Sequence, residues 1–168
     1  MKDRVREAVF NLVGPAVIGS HAIDLFAGTG ALGLEAISRG AARATLVEQH
    51  FPTARIIKDN AETLGVSDRV EVATGDSFIW ARRGTDLGPQ PWVVFCSPPY
   101  AFYVDRQPDM LALIGTLVER APEGSKLVVE ADKRFDFGLL PEPDRWDVRE
   151  YLPAVVGIMK KSEVRSQK

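Results

Sequence analysis

Three glycines in residues 24–33 (Asp-Leu-Phe-Ala-Gly-Thr-Gly-Ala-Leu-Gly) follow an apolar segment that ends in a carboxylate. Gly28, Gly30 and Gly33 have the spacing Gly-x-Gly-x-x-Gly. Glycines at this spacing let the backbone turn tightly and approach a ligand without Cβ atoms in the way. The segment therefore predicts a loop between a strand and a helix that binds a nucleotide-containing cofactor.

Two carboxylates, Asp24 and Glu48, indicate which cofactor this is. The glycines alone also fit a dinucleotide, since Glu48 follows Gly28 by 20 residues, where such folds bind a ribose hydroxyl. Asp24 argues against a dinucleotide, because a carboxylate beside the loop would repel a pyrophosphate. S-adenosylmethionine carries a sulfonium and an ammonium group and no phosphate, so we predict that it binds here with its ribose on Glu48.

A second group of residues, Ser97, Pro98, Pro99 and Tyr100, follows the apolar run of residues 92–96. The run predicts a buried strand, and open α/β sheets bind ligands at the carboxyl ends of their strands. Two prolines fix φ and remove two N–H donors, so the turn presents carbonyl oxygens beside an aromatic ring. Acceptors and a ring suit a planar base that bears an amine.

The two motifs together resemble the class I methyltransferases that modify exocyclic amines of bases, whose second motif is Asp, Asn or Ser followed by Pro-Pro and an aromatic residue. The chain is similar in particular to the RsmD type, in residues 4–11 (Arg-Val-Arg-Glu-Ala-Val-Phe-Asn), 30–36, 38–41 and 44–48. The resemblance covers nearly the whole chain. It implies S-adenosylmethionine-dependent methylation of N2 of a guanine in small-subunit (16S) ribosomal RNA.

The chain departs from the RsmD type at two places. The type usually has Asp where this chain has Ser97, a neutral acceptor that should bind an amine more weakly. Cytosine and adenine amino-methyltransferases use Ser at this position, so the reaction remains feasible. The type also has a basic β-hairpin before the first helix, whereas here Met1 directly precedes that helix, and we expect one RNA contact surface to be missing.

The resemblance assigns roles to individual residues. It implies that the turn is catalytic: the Ser97 hydroxyl and neighbouring carbonyls accept the protons of the amine, and Tyr100 stacks on the base. The predicted catalytic residues are Ser97, Pro98, Pro99 and Tyr100. The predicted cofactor-binding residues are Asp24, Phe26, Ala27, Gly28, Thr29, Gly30, Glu48, Gln49, Asp76 and Ser77. Asp76 is expected to accept the adenine amine, although it also fits a helix N-cap.

Arg4, Arg6, Lys133 and Arg134 are the predicted RNA-binding residues. Lys133 and Arg134 follow a predicted strand at the sheet edge that carries Ser97, so we expect them to hold phosphates in preference to the other two. A net charge of −2 gives no global positive field. The RNA site must therefore be local.

Three other functions fit part of the pattern. A DNA adenine or cytosine amino-methyltransferase would explain Ser97, but the chain has no added segment to recognise a DNA sequence. A nicotinamide dehydrogenase would explain the glycines but neither Asp24 nor the Pro-Pro-Tyr turn. A non-catalytic S-adenosylmethionine-binding protein is the alternative in which Ser97 marks lost activity.

The composition fits one domain over residues 1–168, with 45% hydrophobic and 26% charged residues. We expect a cytoplasmic monomer, because the single cysteine excludes internal disulfides and neither a signal peptide nor an apolar run of membrane-spanning length is evident. His21, His50 and Cys96 are too scattered for a metal site, and both histidines are expected at the surface.

Strands and helices alternate along the sequence. The predicted strands are 22–26, 44–48, 70–74, 92–96 and 126–131, followed by a hairpin of 146–152 and 154–160. The predicted helices are 3–13, 31–39, 52–64, 77–83 and 108–120, and residues 160–168 form a basic tail. This order predicts the Rossmann-like α/β fold of class I methyltransferases: a doubly wound, mostly parallel seven-stranded sheet with an antiparallel final strand and helices on both faces.

Overall fold

The computed structural model describes residues 1–162, and one seven-stranded sheet forms its centre. Its strands are β1 (His21–Asp24), β2 (Arg43–Glu48), β3 (Val70–Thr74), β4 (Trp92–Cys96), β5 (Lys126–Ala131), β6 (Asp147–Tyr151) and β7 (Ala154–Lys160). The spatial order is β3-β2-β1-β4-β5-β7-β6. Strands β1 to β5 are parallel, and β7 is antiparallel to both β5 and β6. The predicted sheet is confirmed.

Helices cover both faces of this sheet. They are α1 (Asp3–Val13), α2 (Ala31–Ser38), α3 (Phe51–Thr63), α4 (Ser77–Arg82), α5 (Phe102–Asp105) and α6 (Gln107–Arg120). Side chains of α1, α2 and α3 share one apolar cluster with alternate residues of the strands, and those of α4 and α6 share the other. Helix α1 contributes residues at helical spacing that are nearly inaccessible to solvent, namely Val5, Val9, Phe10 and Val13.

Two local predictions were incomplete or wrong, and a third is largely untested. Helix α5 was not predicted, because four residues are too few for a periodic pattern. The expectation that His21 lies at the surface was wrong: it begins a central strand, it is 3% exposed, and its Nε2 lies 2.8 Å from Thr45 Oγ1. Most of the predicted basic tail lies outside the described residues, and Lys161 donates from Nζ to the Val118 and Glu119 carbonyls.

The topology brings several chain segments to one edge of the sheet. The carboxyl ends of the five parallel strands all lie there, which is where ligands of such sheets bind. Because β7 runs the opposite way, the β6–β7 turn at Leu152 and Pro153 lies at the same edge. Within residues 1–162 no helix is long and apolar enough to cross a bilayer, and no cluster of His, Cys, Asp or Glu is arranged to hold a metal ion.

Candidate active site

A cavity of about 540 Å³ lies at this edge, within the range of cofactor sites. Its lining includes ten of the residues predicted for the site: Phe26, Gly28, Glu48, Gln49, Asp76, Ser77, Ser97, Pro98, Pro99 and Tyr100. The other four predicted cofactor-binding residues, Asp24, Ala27, Thr29 and Gly30, do not line it. The structure thus brings both sequence motifs to one cavity, with part of the glycine loop beneath its wall.

The three loop glycines have different roles. Gly28 has φ +56°, and a Cβ there would meet no protein atom within 4 Å, so its open side faces the cavity. A Cβ on Gly30 would lie 3.1 Å from Ile57, and one on Gly33 would lie 2.7 Å from Leu46. Gly28 is therefore placed for close approach of a ligand, whereas the other two allow helix α2 to pack on the sheet.

Glu48 connects the glycine loop to the end of β2. Its Oε2 accepts the Gly28 N–H at 2.8 Å, and its Oε1 accepts the His50 N–H at 3.1 Å. A carboxylate has about four lone-pair positions, so two remain for ribose hydroxyls. The two backbone hydrogen bonds fix the orientation of the side chain.

Asp76 and Ser77 follow the end of β3, the strand next to β2, and line the same cavity. Asp76 Oδ1 caps helix α4 through the N–H groups of Phe78 (2.8 Å) and Ile79 (3.0 Å). The cap leaves Oδ2 without a hydrogen bond among the described residues, so capping and adenine binding are compatible. Ser77 donates its hydroxyl to the Leu25 carbonyl, which joins the ends of β3 and β1.

Asp24 lies under the loop, 1% exposed. Its Oδ2 accepts the Gly33 N–H at 3.3 Å, and its Oδ1 has no partner within residues 1–162. Burial, only partly offset by the Gly33 hydrogen bond, raises the pKa of this carboxyl to about 7. Near neutral pH Asp24 is therefore not the fully charged group assumed in the sequence argument against a dinucleotide.

Three phenylalanines form an aromatic wall that the sequence analysis did not identify as a feature. Ring centroids of Phe26, Phe78 and Phe102 lie 6.0 to 6.3 Å apart, and all three rings line the cavity. The Arg106 guanidinium lies 4.2 Å from the Phe78 ring centroid. Phe78 and Phe102 come from separate helices, so no sequence spacing links them. The wall gives the cavity an apolar side on which a purine ring can pack.

The proline turn holds its acceptors in a fixed arrangement. The Pro99 and Tyr100 carbonyls accept backbone N–H groups of helix α5, whereas those of Ser97 and Pro98 accept no hydrogen bond from the part of the chain described. Two carbonyls thus remain for a ligand, as predicted from the prolines.

Glu130, on β5, is the residue that the sequence analysis missed. It lies behind the turn and is 3% exposed. Its Oε1 accepts the hydroxyl of Ser97, and its Oε2 accepts the hydroxyl of Tyr100 at 3.1 Å. Burial and, to a smaller extent, the Glu130 carboxylate raise the pKa of Tyr100 to about 12. The sequence feature that could have identified Glu130 is a carboxylate next to the end of an apolar strand.

A second cleft, of about 390 Å³, adjoins the first cavity and shares Met1, Tyr100 and Glu130 with it. Its other walls come from the start of α1 and from the β6–β7 turn: Lys2, Arg4, Val5, Tyr151, Leu152, Pro153 and Ala154. Tyr100 and Glu130 thus separate two adjoining spaces, one beside the glycine loop and one beside basic side chains.

The predicted RNA-binding residues differ in their surroundings. The side chain of Arg4 forms no ion pair within residues 1–162, and it lines the second cleft. Lys133 and Arg134 line a pocket together with Leu152 and Pro153 of the β6–β7 turn. Lys133 pairs with Glu150 at 3.9 Å, and Arg134 pairs with Asp132 at 3.0 Å.

Arg6 lies apart from both clefts. It contacts Glu35 at 3.1 Å and Asp3 at 3.2 Å. The structure therefore separates Arg6 from the other three basic residues.

The fold and this site define a class I methyltransferase. Residues 1–149 match the family described as conserved hypothetical protein 95, which is the RsmD family, and the chain belongs to it. This membership confirms the predicted S-adenosylmethionine-dependent class.

Ribosomal RNA small subunit methyltransferase D of Escherichia coli is 33% identical over 147 residues, which are 87% of this chain and 69% of that protein. A conserved hypothetical protein of Streptococcus pyogenes superposes with a TM-score of 0.76 at 29% identity, over 96% of this chain and 98% of its own. An RNA methyltransferase of Salinibacter ruber in complex with S-adenosyl-L-homocysteine shares the fold, with a TM-score of 0.70 at 21% identity, over 100% of this chain and 97% of its own.

Proposed function

We propose that this chain transfers the methyl group of S-adenosylmethionine to the N2 amine of a guanine in 16S ribosomal RNA. The observation that carries the proposal is the position of the proline turn, whose Tyr100 lines both the acidic cavity and the cleft beside the basic side chains. A cofactor in the first space and a base in the second would meet at Tyr100, in the turn that also carries Ser97. The relatives named as ribosomal RNA methyltransferases support RNA over DNA as the substrate.

The charge of the cavity supports the cofactor. Glu48, Asp76 and Glu130 line it, and no Lys, Arg or His side chain within the described residues does so. Such a lining favours a sulfonium cation and disfavours a pyrophosphate. These three carboxylates, rather than Asp24, thus disfavour a dinucleotide.

The second cleft is the proposed entrance for the base. Lys2 and Arg4 lie at one side of it, and the β6–β7 turn, with the half-exposed Leu152, lies at the other. Cationic side chains hold nucleic acid through its phosphates, while a base that leaves its helix needs an apolar and aromatic surface. The cleft offers both, with Tyr100 at its inner end.

The proposed reaction depends mainly on orientation. The lone pair of a guanine amine is delocalised into the ring, so the amine is a poor nucleophile in the plane of the base. The hydroxyl of Ser97 and the free carbonyls of Ser97 and Pro98 accept its protons and turn the lone pair toward the methyl group. Holding two reactants in such an arrangement can lower a barrier by roughly 7–11 kcal/mol.

The test is transfer of labelled methyl groups to undermethylated small ribosomal subunits and, in parallel, to naked 16S RNA and duplex DNA. Nucleoside analysis should find N2-methylguanosine as the product. Methylated adenine or cytosine would overturn the guanine assignment, and transfer to DNA alone would overturn the RNA assignment.

Cofactor identity is tested separately by calorimetry. S-adenosylhomocysteine should bind to the isolated chain and NAD should not, because only NAD brings a pyrophosphate into the acidic cavity. Tighter binding of NAD would overturn the cofactor assignment.

We also propose that the protein acts as a cytoplasmic monomer. Both the cavity and the adjoining cleft are built within one chain, so the site needs no residue from a second copy. Light scattering in the presence and absence of RNA tests the oligomeric state.

A further inference from the structure

Glu130 is a buried carboxylate between two neutral hydroxyl donors. It is 3% exposed, and its two oxygens accept one hydrogen bond each, from Ser97 and from Tyr100. The phenol of Tyr100 is protonated and donating at neutral pH. Both donors belong to the turn at the junction of the two clefts, so Glu130 holds this turn from behind.

No Lys, Arg or His side chain within residues 1–162 forms an ion pair with this carboxylate, although Lys2 and Arg4 line the same cleft. Every ion pair of the described residues involves another acidic group. Burying a carboxylate without an ion-pair partner is unfavourable, and two neutral hydrogen bonds offset only part of that cost. A positive charge that develops near the carboxylate would be stabilised by it, and the proposed reaction creates one on the amine nitrogen.

We propose that Glu130 is a positioning residue that makes Ser97 an acceptor for the base amine and receives, through Ser97, the proton that the methylated amine releases. This inference rests on the proposed function. Ser97 has one hydroxyl proton, and Glu130 accepts it, so only lone pairs of Ser97 remain to face the amine. The negative charge behind Ser97 strengthens that acceptor.

The proton and electron balance is as follows. The amine nitrogen forms a bond to the methyl carbon as the carbon–sulfur bond breaks, and the electron pair of that bond stays on sulfur. The amine is then a cation. Its proton passes to Ser97 Oγ while the proton of Ser97 passes to Glu130, which becomes neutral and later releases the proton to water.

The arrangement accounts for the serine at position 97. Where related enzymes place a carboxylate directly on the turn, this chain has a neutral hydroxyl with a carboxylate one strand away. The charge of Glu130 acts on the amine through one intervening hydrogen bond. A serine at position 97 therefore still leaves a carboxylate charge in the site.

Glu130→Gln tests the inference, because it keeps the size of the side chain and removes its charge. The expected result is a fall in kcat of about 10²-fold, a typical effect for a group that accepts a proton during reaction. The Kd of S-adenosylhomocysteine should change by less than about threefold, because this product has a neutral thioether in place of the sulfonium cation, and KM for RNA should change as little, because phosphate contacts dominate RNA affinity. Glu71→Gln, at an exposed position on β3, is the matched control and should leave kcat unchanged.

Two further readouts separate positioning from a structural role. Ser97→Ala and Glu130→Gln should be strongly non-additive, because each interrupts the same path, so the double variant should be no slower than the slower single variant. The Tm of Glu130→Gln should rise, because an uncompensated buried charge is removed. Additive rates, or a Tm that falls together with kcat, would assign Glu130 to the fold and overturn the inference.

The two proposals fail in different ways. If the wild-type chain methylates its substrate and Glu130→Gln does so at the same rate, only the role of Glu130 is overturned. If the wild-type chain transfers no methyl group to any ribosomal substrate, the proposed function and the role of Glu130 are both overturned.

Discussion

The Gly28 N–H donates a 2.8 Å hydrogen bond to Oε2 of Glu48, so the residue predicted to bind ribose also holds the glycine loop. The loop and the ribose site are therefore coupled through one side chain. A change at Glu48 alters both the contact with the ligand and the shape of the loop.

Glu48→Ala should weaken binding of S-adenosylhomocysteine by about 10- to 100-fold, because hydrogen bonds to a charged group contribute roughly 1.5–3 kcal/mol. Calorimetry measures the change. Glu62→Gln, on the exposed face of α3, serves as the control. Unchanged affinity in Glu48→Ala would place the ribose elsewhere.

Gly28→Val should abolish cofactor binding. The branched side chain would occupy the open side of the loop, and φ at this position, +56°, also strains any non-glycine residue. Gly65→Val is a matched control, since Gly65 has φ +72° and the space for its Cβ is equally open, but it lies outside the cavity lining. Both variants should lose similar stability in thermal melts, and only Gly28→Val should lose binding. Equal loss of binding in both would attribute the effect to instability.

Asp24→Asn should change how stability depends on pH. The native carboxyl has a pKa of about 7 against 3.8 as a free group, so between these values the native state holds a proton that the unfolded state has lost. The wild-type free energy of unfolding therefore falls as pH rises from about 4 to 7, by roughly 2–4 kcal/mol for this group.

Asparagine resembles the protonated carboxyl, so the variant should lack that decline. Urea unfolding of the two proteins at pH 5 and pH 8 measures it. Parallel pH dependence in both proteins would mean that Asp24 does not titrate in this range.

The salt dependence of RNA binding should identify which basic residues touch phosphate. Arg4→Ala should weaken binding and lower the slope of log K against log [salt] by up to about one unit. The double variant with Lys133→Ala and Arg134→Ala should also weaken RNA binding and lower this slope, because it removes two positive charges beside the β6–β7 turn.

Arg55→Ala is the control for lost charge, because Arg55 lies on α3 and pairs with Asp59 at 3.6 Å, away from both clefts. An unaltered slope in Arg4→Ala would move the phosphate contacts away from the second cleft. A slope that falls equally in Arg55→Ala would show a general charge effect instead.

Elements with a strong period or a run of buried residues were predictable from sequence. Strands β4, β5 and β7 have the predicted bounds, because apolar runs between turns leave few alternatives, and so has β3, where Val70 and Val72 alternate with Glu71. His21 was misplaced because a polar residue at the start of a strand gives no sign of a buried partner such as Thr45.

The site was predictable where its residues are consecutive in sequence. The glycine loop and the proline turn both contribute to the cavity lining, as their motifs indicated. Glu130 was missed because its role depends on strands β4 and β5 being neighbours, a relation that no sequence spacing records. The aromatic wall was missed for the same reason.

The position of β6 and β7 late in the sequence determines when during synthesis each half of the site can form. The glycine loop, the ends of β2 and β3, and the proline turn all belong to residues before α6, whereas the cleft beside Arg4 is closed by the turn that enters β7. A nascent chain that has not yet added its last hairpin therefore contains the segments that line most of the cofactor cavity but lacks a wall of the proposed base entrance. The proposed entrance for the base can therefore be completed only after the last hairpin has been synthesised.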